Sequence, residues 1–124
     1  MIKITIPLDP RTKKNSQQIF RNRKTGKPFI SQSEIYKQYV KDCGYFLKNK
    51  VPEPIDYPVN VKALYYRETR RRVDITNLHS CLHDVLVEHG ILEDDNSNIV
   101  VGTDRSRVFL GDKNPRTEIE ILEV

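Results

Sequence analysis

The chain of 124 residues has no Trp, one Met, two Cys and five Gly. No apolar run approaches the ~18–20 residues that cross a bilayer, so no membrane partner is expected. Two cysteines make neither a disulfide framework nor a close-spaced thiol metal motif. Cys43 and Cys81 therefore read as small core residues in a reducing compartment, and a cytoplasmic location is expected. Met1 to Leu8 carries a basic residue but no long apolar stretch, so no signal peptide is expected. Neither a glycine-rich phosphate loop nor a serine set in a nucleophile elbow is present, which leaves nucleotide-hydrolase and serine-hydrolase chemistry unsupported. There is no internal repeat, low-complexity tract or linker that would split the chain.

What remains suits one domain over residues 1–124, because domains commonly run to about 100–150 residues. Four Phe and six Tyr can anchor a core despite the low mean hydropathy of −0.61. The net charge of +4 conceals an asymmetry. Residues 1–73 carry 17 Lys and Arg against 6 Asp and Glu, whereas residues 74–124 carry 4 against 11. A basic half suits a polyanion; an acidic half suits metal ions or solvent.

Ile2, Ile4 and Ile6 alternate with Lys3 and Thr5, the period of a half-buried strand, which Pro7 and Pro10 end. Between Pro10 and Pro28 lie Arg11, Lys13, Lys14, Arg21, Arg23, Lys24 and Lys27 and no acid. Gln18–Arg21 and Pro28–Ile30 read as short strands turning at Thr25-Gly26, so 10–28 is a basic hairpin or flexible arm. Ser33 is placed to cap a helix over 33–48, whose apolar positions are Ile35, Tyr36, Tyr39, Val40, Cys43, Phe46 and Leu47. Alternation at Val59, Val61, Ala63 and Tyr65 predicts a strand over 58–68. A second helix is predicted over 75–89, with Ile75, Leu78, Leu82, Val85, Leu86 and His89 on one stripe and Gly90 as its terminating glycine. Ile99–Val101, Arg107–Leu110 and the alternation at Thr117, Ile119 and Ile121 complete the strands. This order predicts a mixed α/β (α+β) fold: a single mixed sheet with two helices packed on it.

At 100° per residue, Asp74, Asn77, Cys81, Asp84 and Glu88 fall within about 80° of one another beside the apolar stripe. The acidic turn Asp94-Asp95 follows the same helix. If it folds back toward the helix start, carboxylates converge and call for a divalent cation such as Mg²⁺, which takes oxygen ligands. The alternatives are a solvated acidic edge, and an Asp74 that merely caps the helix. Arg70-Arg71-Arg72, just upstream, suits either phosphate contacts or an ordinary basic strand end. His79 and His83, spaced i, i+4, have a geometry that can hold zinc, but they face away from the acidic stripe and lack a flanking metalloprotease pattern.

The segment Arg72-Val73-Asp74-Ile75-Thr76-Asn77-Leu78, then Asp84-Val85-Leu86, then Gly90-Ile91-Leu92-Glu93-Asp94-Asp95-Asn96 and Ile99, resembles the RusA-type Holliday junction resolvases. Their signature is Asp-x-Asp-Asn-x-x-Lys-x-x-x-Asp-x-Leu followed, after a glycine, by Asp-Asp. Lys13-Lys14-Asn15 is also similar to the family's basic opening. The resemblance implies a RusA-like fold and a homodimeric, Mg²⁺-dependent endodeoxyribonuclease (Mn²⁺ substituting) that cuts branched, four-way DNA by paired nicks. It also implies a cytoplasmic protein of a bacterium or prophage. It assigns catalysis to Asp74 and Asp95 with Asp94 beside it, metal binding to the same three with Asp84, and supporting positions to Asn77, Thr76 and Ser80. DNA phosphates would fall to Lys13, Lys14, Arg21, Arg23, Arg70, Arg71 and Arg72. Thr76 and Ser80 depart from the pattern, standing where the family has Asp and Lys. A neutral hydroxyl is a poorer Mg²⁺ ligand, and the missing Lys removes a charge near the phosphate. Asp84 and Asp94 are candidate replacements for the carboxylate, and Arg70–Arg72, Arg105 or Arg107 for the cation. The rival expectation is a weakened or inactive protein that binds branched DNA without cutting it. An RNA-binding module ranks last, since no aromatic RNP signature is present.

Overall fold

The computed structural model describes residues 1–13, 17–21, 24–26, 28–32 and 34–124, with 17–21 and 28–32 described through their backbone alone. Its elements are β1 (Ile2–Ile6), β2 (Gln17–Arg21), β3 (Pro28–Gln32), α1 (Glu34–Leu47), β4 (Val59–Tyr66), α2 (Ile75–Glu88), β5 (Val100–Gly102), β6 (Arg107–Phe109) and β7 (Arg116–Glu123). The order is the expected one, and each boundary, those of the hairpin strands included, falls within two residues of its expected position. Ser33, the expected cap of α1, lies outside the described residues.

β1, β7, β4 and β5 follow one another across a mixed five-stranded sheet, and β6 also pairs with β4. β7 is antiparallel to both β1 and β4, while β5 and β6 run parallel to β4. α2 is therefore the crossover between β4 and the parallel β5, as such a connection requires. β2 and β3 pair only with each other, in the antiparallel register Gln17↔Gln32 to Arg21↔Pro28. The expected hairpin is thus a small sheet of its own.

The sheet's two faces follow from the period of 2. Ile4, Ile119 and Ala63 stand side by side across three strands, as do Ile2, Ile121 and Val61. This face is buried together with Tyr36, Tyr39, Cys43 and Leu47 of α1 and Leu78, Cys81, Leu82, Val85 and Leu86 of α2. On the other face Glu120 lies between Lys3 and Lys62, at 3.8 and 3.3 Å. Phe109 stacks on Tyr66, over which the Arg116 guanidinium lies 3.7 Å from the ring centre. Ile35, expected on the apolar stripe of α1, is 59% exposed. It lies about 100° round the helix from the buried Tyr36, at the edge of the stripe that faces the core.

Candidate active site

α2 carries Thr76, Asn77, Ser80 and Asp84 of the expected site residues, with Asp74 at its N-cap, and its two ends are fixed differently. At its N-terminus Asp74 is extended (φ −81°, ψ 128°) and makes no side-chain capping bond; its backbone carbonyl instead accepts from Asn77 and Leu78. The capping alternative for the carboxylate is therefore not realised. Asp74 is exposed, and among the described residues its Oδ2 accepts only a long hydrogen bond, 3.4 Å, from Asn77 Nδ2. The positive end of the helix dipole favours a carboxylate held there. At the C-terminus Gly90 adopts φ +77°. Its N–H donates to Val87 and that of Ile91 to Leu86, a Schellman turn. Ile55 then takes the chain in hand: its N–H donates to Ile91, and its carbonyl accepts from Glu93. These bonds aim the following acidic turn.

In that turn the two adjacent aspartates have different tasks. Asp94 is built into the loop, Oδ1 accepting from the Asp95 N–H at 2.7 Å and Oδ2 from Asn96 Nδ2 at 3.0 Å. Asp95 is exposed, and its carboxyl is pushed above the usual range by burial, by the hydrogen bond with Asp94, and by the charges of Asp84 and Asp94. The turn thus folds back far enough for Asp95 to feel Asp84. Asp74 and Asp84 are ten positions apart on α2, about 15 Å along its axis, and Asp74 is not among the groups that act on Asp95. Among the described residues, no three His, Cys, Asp or Glu side chains stand close enough together to hold a metal ion.

The charge that compensates Asp84 is a lysine. Lys13 Nζ lies 2.9 Å from Asp84 Oδ2, and the Lys13 N–H donates to Cys81 Sγ at 3.2 Å. The bond to Asp84, followed by the nearby charges of Asp84, Cys81 and Glu88, outweighs burial and raises the Lys13 pKa. The segment after β1 therefore lies along the stripe of Cys81, Asp84 and Glu88. Cys81 is buried, Asn77 and Asp84 are half-buried, and Asp74 and Glu88 are exposed, as a stripe bordering the core requires. Thr76 and Ser80 are exposed. The family's lysine would stand at position 80, one turn before Asp84 on the same helix face; here Lys13 meets that carboxylate.

The three consecutive arginines part company. Arg70 lies across Gly111, which has φ +70° and no Cβ to obstruct it. Arg71 and Arg72 line a cavity of about 470 Å³ together with Arg11 and Arg67. Arg67 was not singled out in the sequence, yet it continues the buried alternation of Val59, Val61, Ala63 and Tyr65 past the end of β4 and is only 7% exposed. An arginine at the next inward position of a strand was the available signal. Lys14, Asn15, Arg23 and Lys27 lie outside the described residues, and Arg21 is described through its backbone alone. His79 and His83 stack with ring centres 5.8 Å apart, and His79 Nδ1 is 2.7 Å from the Tyr65 hydroxyl. Burial lowers the pKa of both. His79 is joined to the core tyrosine, while the charge of Asp84 partly offsets the effect of burial on His83.

The carboxylates of Asp84, Asp94 and Asp95 do not form a closed three-ligand set, but their oxygens are the donor type of a cation such as Mg²⁺, which binds through one or two carboxylates plus water or substrate phosphate. No curated protein matches the chain. A family model does: that of endodeoxyribonuclease RusA matches residues 7–122, which takes in Lys13, all of α2, the acidic turn and the sheet strands other than β1. The enzymes it describes are hydrolases acting on DNA, a metal-dependent class in general. With the match spanning nearly the whole chain, and the fold in keeping with it, this protein belongs to the RusA endodeoxyribonuclease family.

Proposed function

We propose that the protein resolves four-way DNA junctions as a homodimer, cutting by paired, Mg²⁺-dependent nicks. The family match over residues 7–122 carries this reading, and the retained Asp74, Asn77, Asp84 and Asp95 support it. Asp74 and Asp95 would hold the cation, with Asp94 assisting and Mn²⁺ substituting; Asp84, about 15 Å along α2 from Asp74, would act on Asp95 through its charge rather than share an ion with Asp74. A bound Mg²⁺ neutralises charge on the scissile phosphate and makes the attacking water easier to deprotonate. Asn77 steadies the Asp74 carboxylate through its side-chain amide. Asp94 fixes the backbone of the turn that presents Asp95. Lys13 places beside Asp84 the cation that Ser80 no longer supplies. The basic side chains Lys13, Lys14, Arg21, Arg23 and Arg70–Arg72 would contact phosphates, which position a duplex without reading its bases. Recognition then rests on branched shape, and two copies related by a two-fold axis would bring one site to each of two strands.

Thr76 and Ser80 favour one second reading, a protein that binds junctions without cutting them. The two are separated by incubating a labelled four-way junction and a matched linear duplex with the protein in Mg²⁺ or in EDTA. Symmetric nicks in the junction alone, lost in EDTA, are the expected result. Tight binding with no nicks in Mg²⁺ or Mn²⁺ would leave the silent binder standing and overturn the resolvase.

A further inference from the structure

Arg67 is buried, and its Nε has no hydrogen-bond partner among the described residues. Burial pulls the pKa of its guanidinium down, and the charges of Arg11 and Arg71 act in the same direction. Asp9 is the acid that opposes them, but its carboxylate is shared: Oδ1 accepts the Glu68 N–H at 3.1 Å, and Oδ2 lies 3.9 Å from Arg11. Four arginines and two acids, Asp9 and Glu68, thus line one cavity. A desolvated cation with an unmet donor is costly unless an anion completes it. A guanidinium presents its donors as a rigid fork matched to phosphate oxygens. The cavity adjoins the catalytic end of α2, because Arg72 is two residues before Asp74, at most about 7 Å between Cα atoms.

We infer that this cavity is a phosphate subsite, in which Arg67, supported by Arg11, Arg71 and Arg72, grips one backbone phosphodiester of the DNA next to the bond cut at the Asp74 end of α2. The inference rests on the proposed DNA-cutting function and gives it an anchor distinct from the exposed basic residues. Those act as diffuse charge; Arg67 is held in place by the strand before it, by its N–H donating to Phe109 and by its carbonyl accepting from Asp112.

The test uses the full chain and its Arg67→Gln and Arg71→Gln variants, the second at an exposed position that does not endanger folding. Thermal unfolding is followed in rising inorganic phosphate, and junction binding is measured in EDTA across a range of salt. Phosphate should stabilise the wild type saturably, Arg71→Gln less, and Arg67→Gln not at all. Arg67→Gln should bind the junction about tenfold more weakly. The slope of log affinity against log salt should fall by about one, as for one lost phosphate contact. Equal phosphate responses and equal slopes in all three proteins would overturn the subsite. A response to phosphate that requires Arg67, in a wild type that binds no junction, would support the anion subsite and overturn the DNA-cutting reading instead.

Discussion

Lys13 and Asp84 join the basic N-terminal segment to the acidic edge of α2, and the chemistry of the site turns on what that pair does. Both side chains are nearly half exposed, at 42% and 45%, so the pair contributes at most about 1 kcal/mol to stability. If Lys13 instead serves the reaction, replacing the cation absent at position 80, Lys13→Met should leave the melting temperature almost unchanged while slowing junction nicking about tenfold. Ser80→Lys placed on that background should restore the rate, since positions 80 and 84 face each other across one helical turn. Single-turnover nicking measures both variants; an unaltered rate in Lys13→Met would remove Lys13 from the site. The residues that sequence made legible were those with a fixed offset on one helix, Asp74, Asn77 and Asp84. The partners that lie far along the chain were not. Lys13 is 71 residues from Asp84, and Arg67 looks like any strand-end arginine until its burial is seen.

The elements themselves were legible because their signals are periodic. The alternations that predicted β1, β4 and β7 are the ones that bury Ile4, Val61, Ala63, Ile119 and Ile121, and the α2 stripe is the one that meets them. Sheet order was not legible, because nothing in a strand's own sequence says that β5 and β6 both pair with β4. The contact between α1 and the end of α2 was also hidden. Gly44 of α1 faces His89, whose ring would lie 2.9 Å from a Cβ at position 44. His89 cannot easily yield, because its Nε2 is 2.8 Å from the Val40 carbonyl oxygen. A glycine inside a helix costs about 0.5–1 kcal/mol relative to alanine, yet here close approach outweighs that propensity. Gly44→Ala should therefore destabilise by about 1–3 kcal/mol, read from chemical denaturation. A neutral or stabilising result would show that the two helices have room to part.

Across the whole molecule, the opposed charges of the two halves are partly neutralised against each other, through Lys13 on Asp84 and Lys3 and Lys62 on Glu120. The core adds a pH dependence of its own. Burial pushes the Cys43 thiol from 9.0 up to about 11, and it raises the phenols of Tyr36, Tyr39 and Tyr65 as well. The folded state then holds these protons more tightly than the unfolded chain does. The stabilising effect of Cys43 is complete below about pH 9 and is lost as pH rises toward 11, and that of the tyrosines persists to higher pH. The urea midpoint should fall over that interval, and one that stays constant would contradict the burial of these groups.

The most direct measurement is the single-turnover rate at which the protein nicks a four-way junction in Mg²⁺, compared between wild type and Asp74→Asn. Because the Asp74 carboxylate makes no capping bond, the variant should fold and melt as the wild type does. Its nicking should fall by about a hundredfold or more, the scale of losing one group that stabilises the transition state. Wild-type cutting by a folded Asp74→Asn protein would contradict the placement of the active site at the N-terminus of α2.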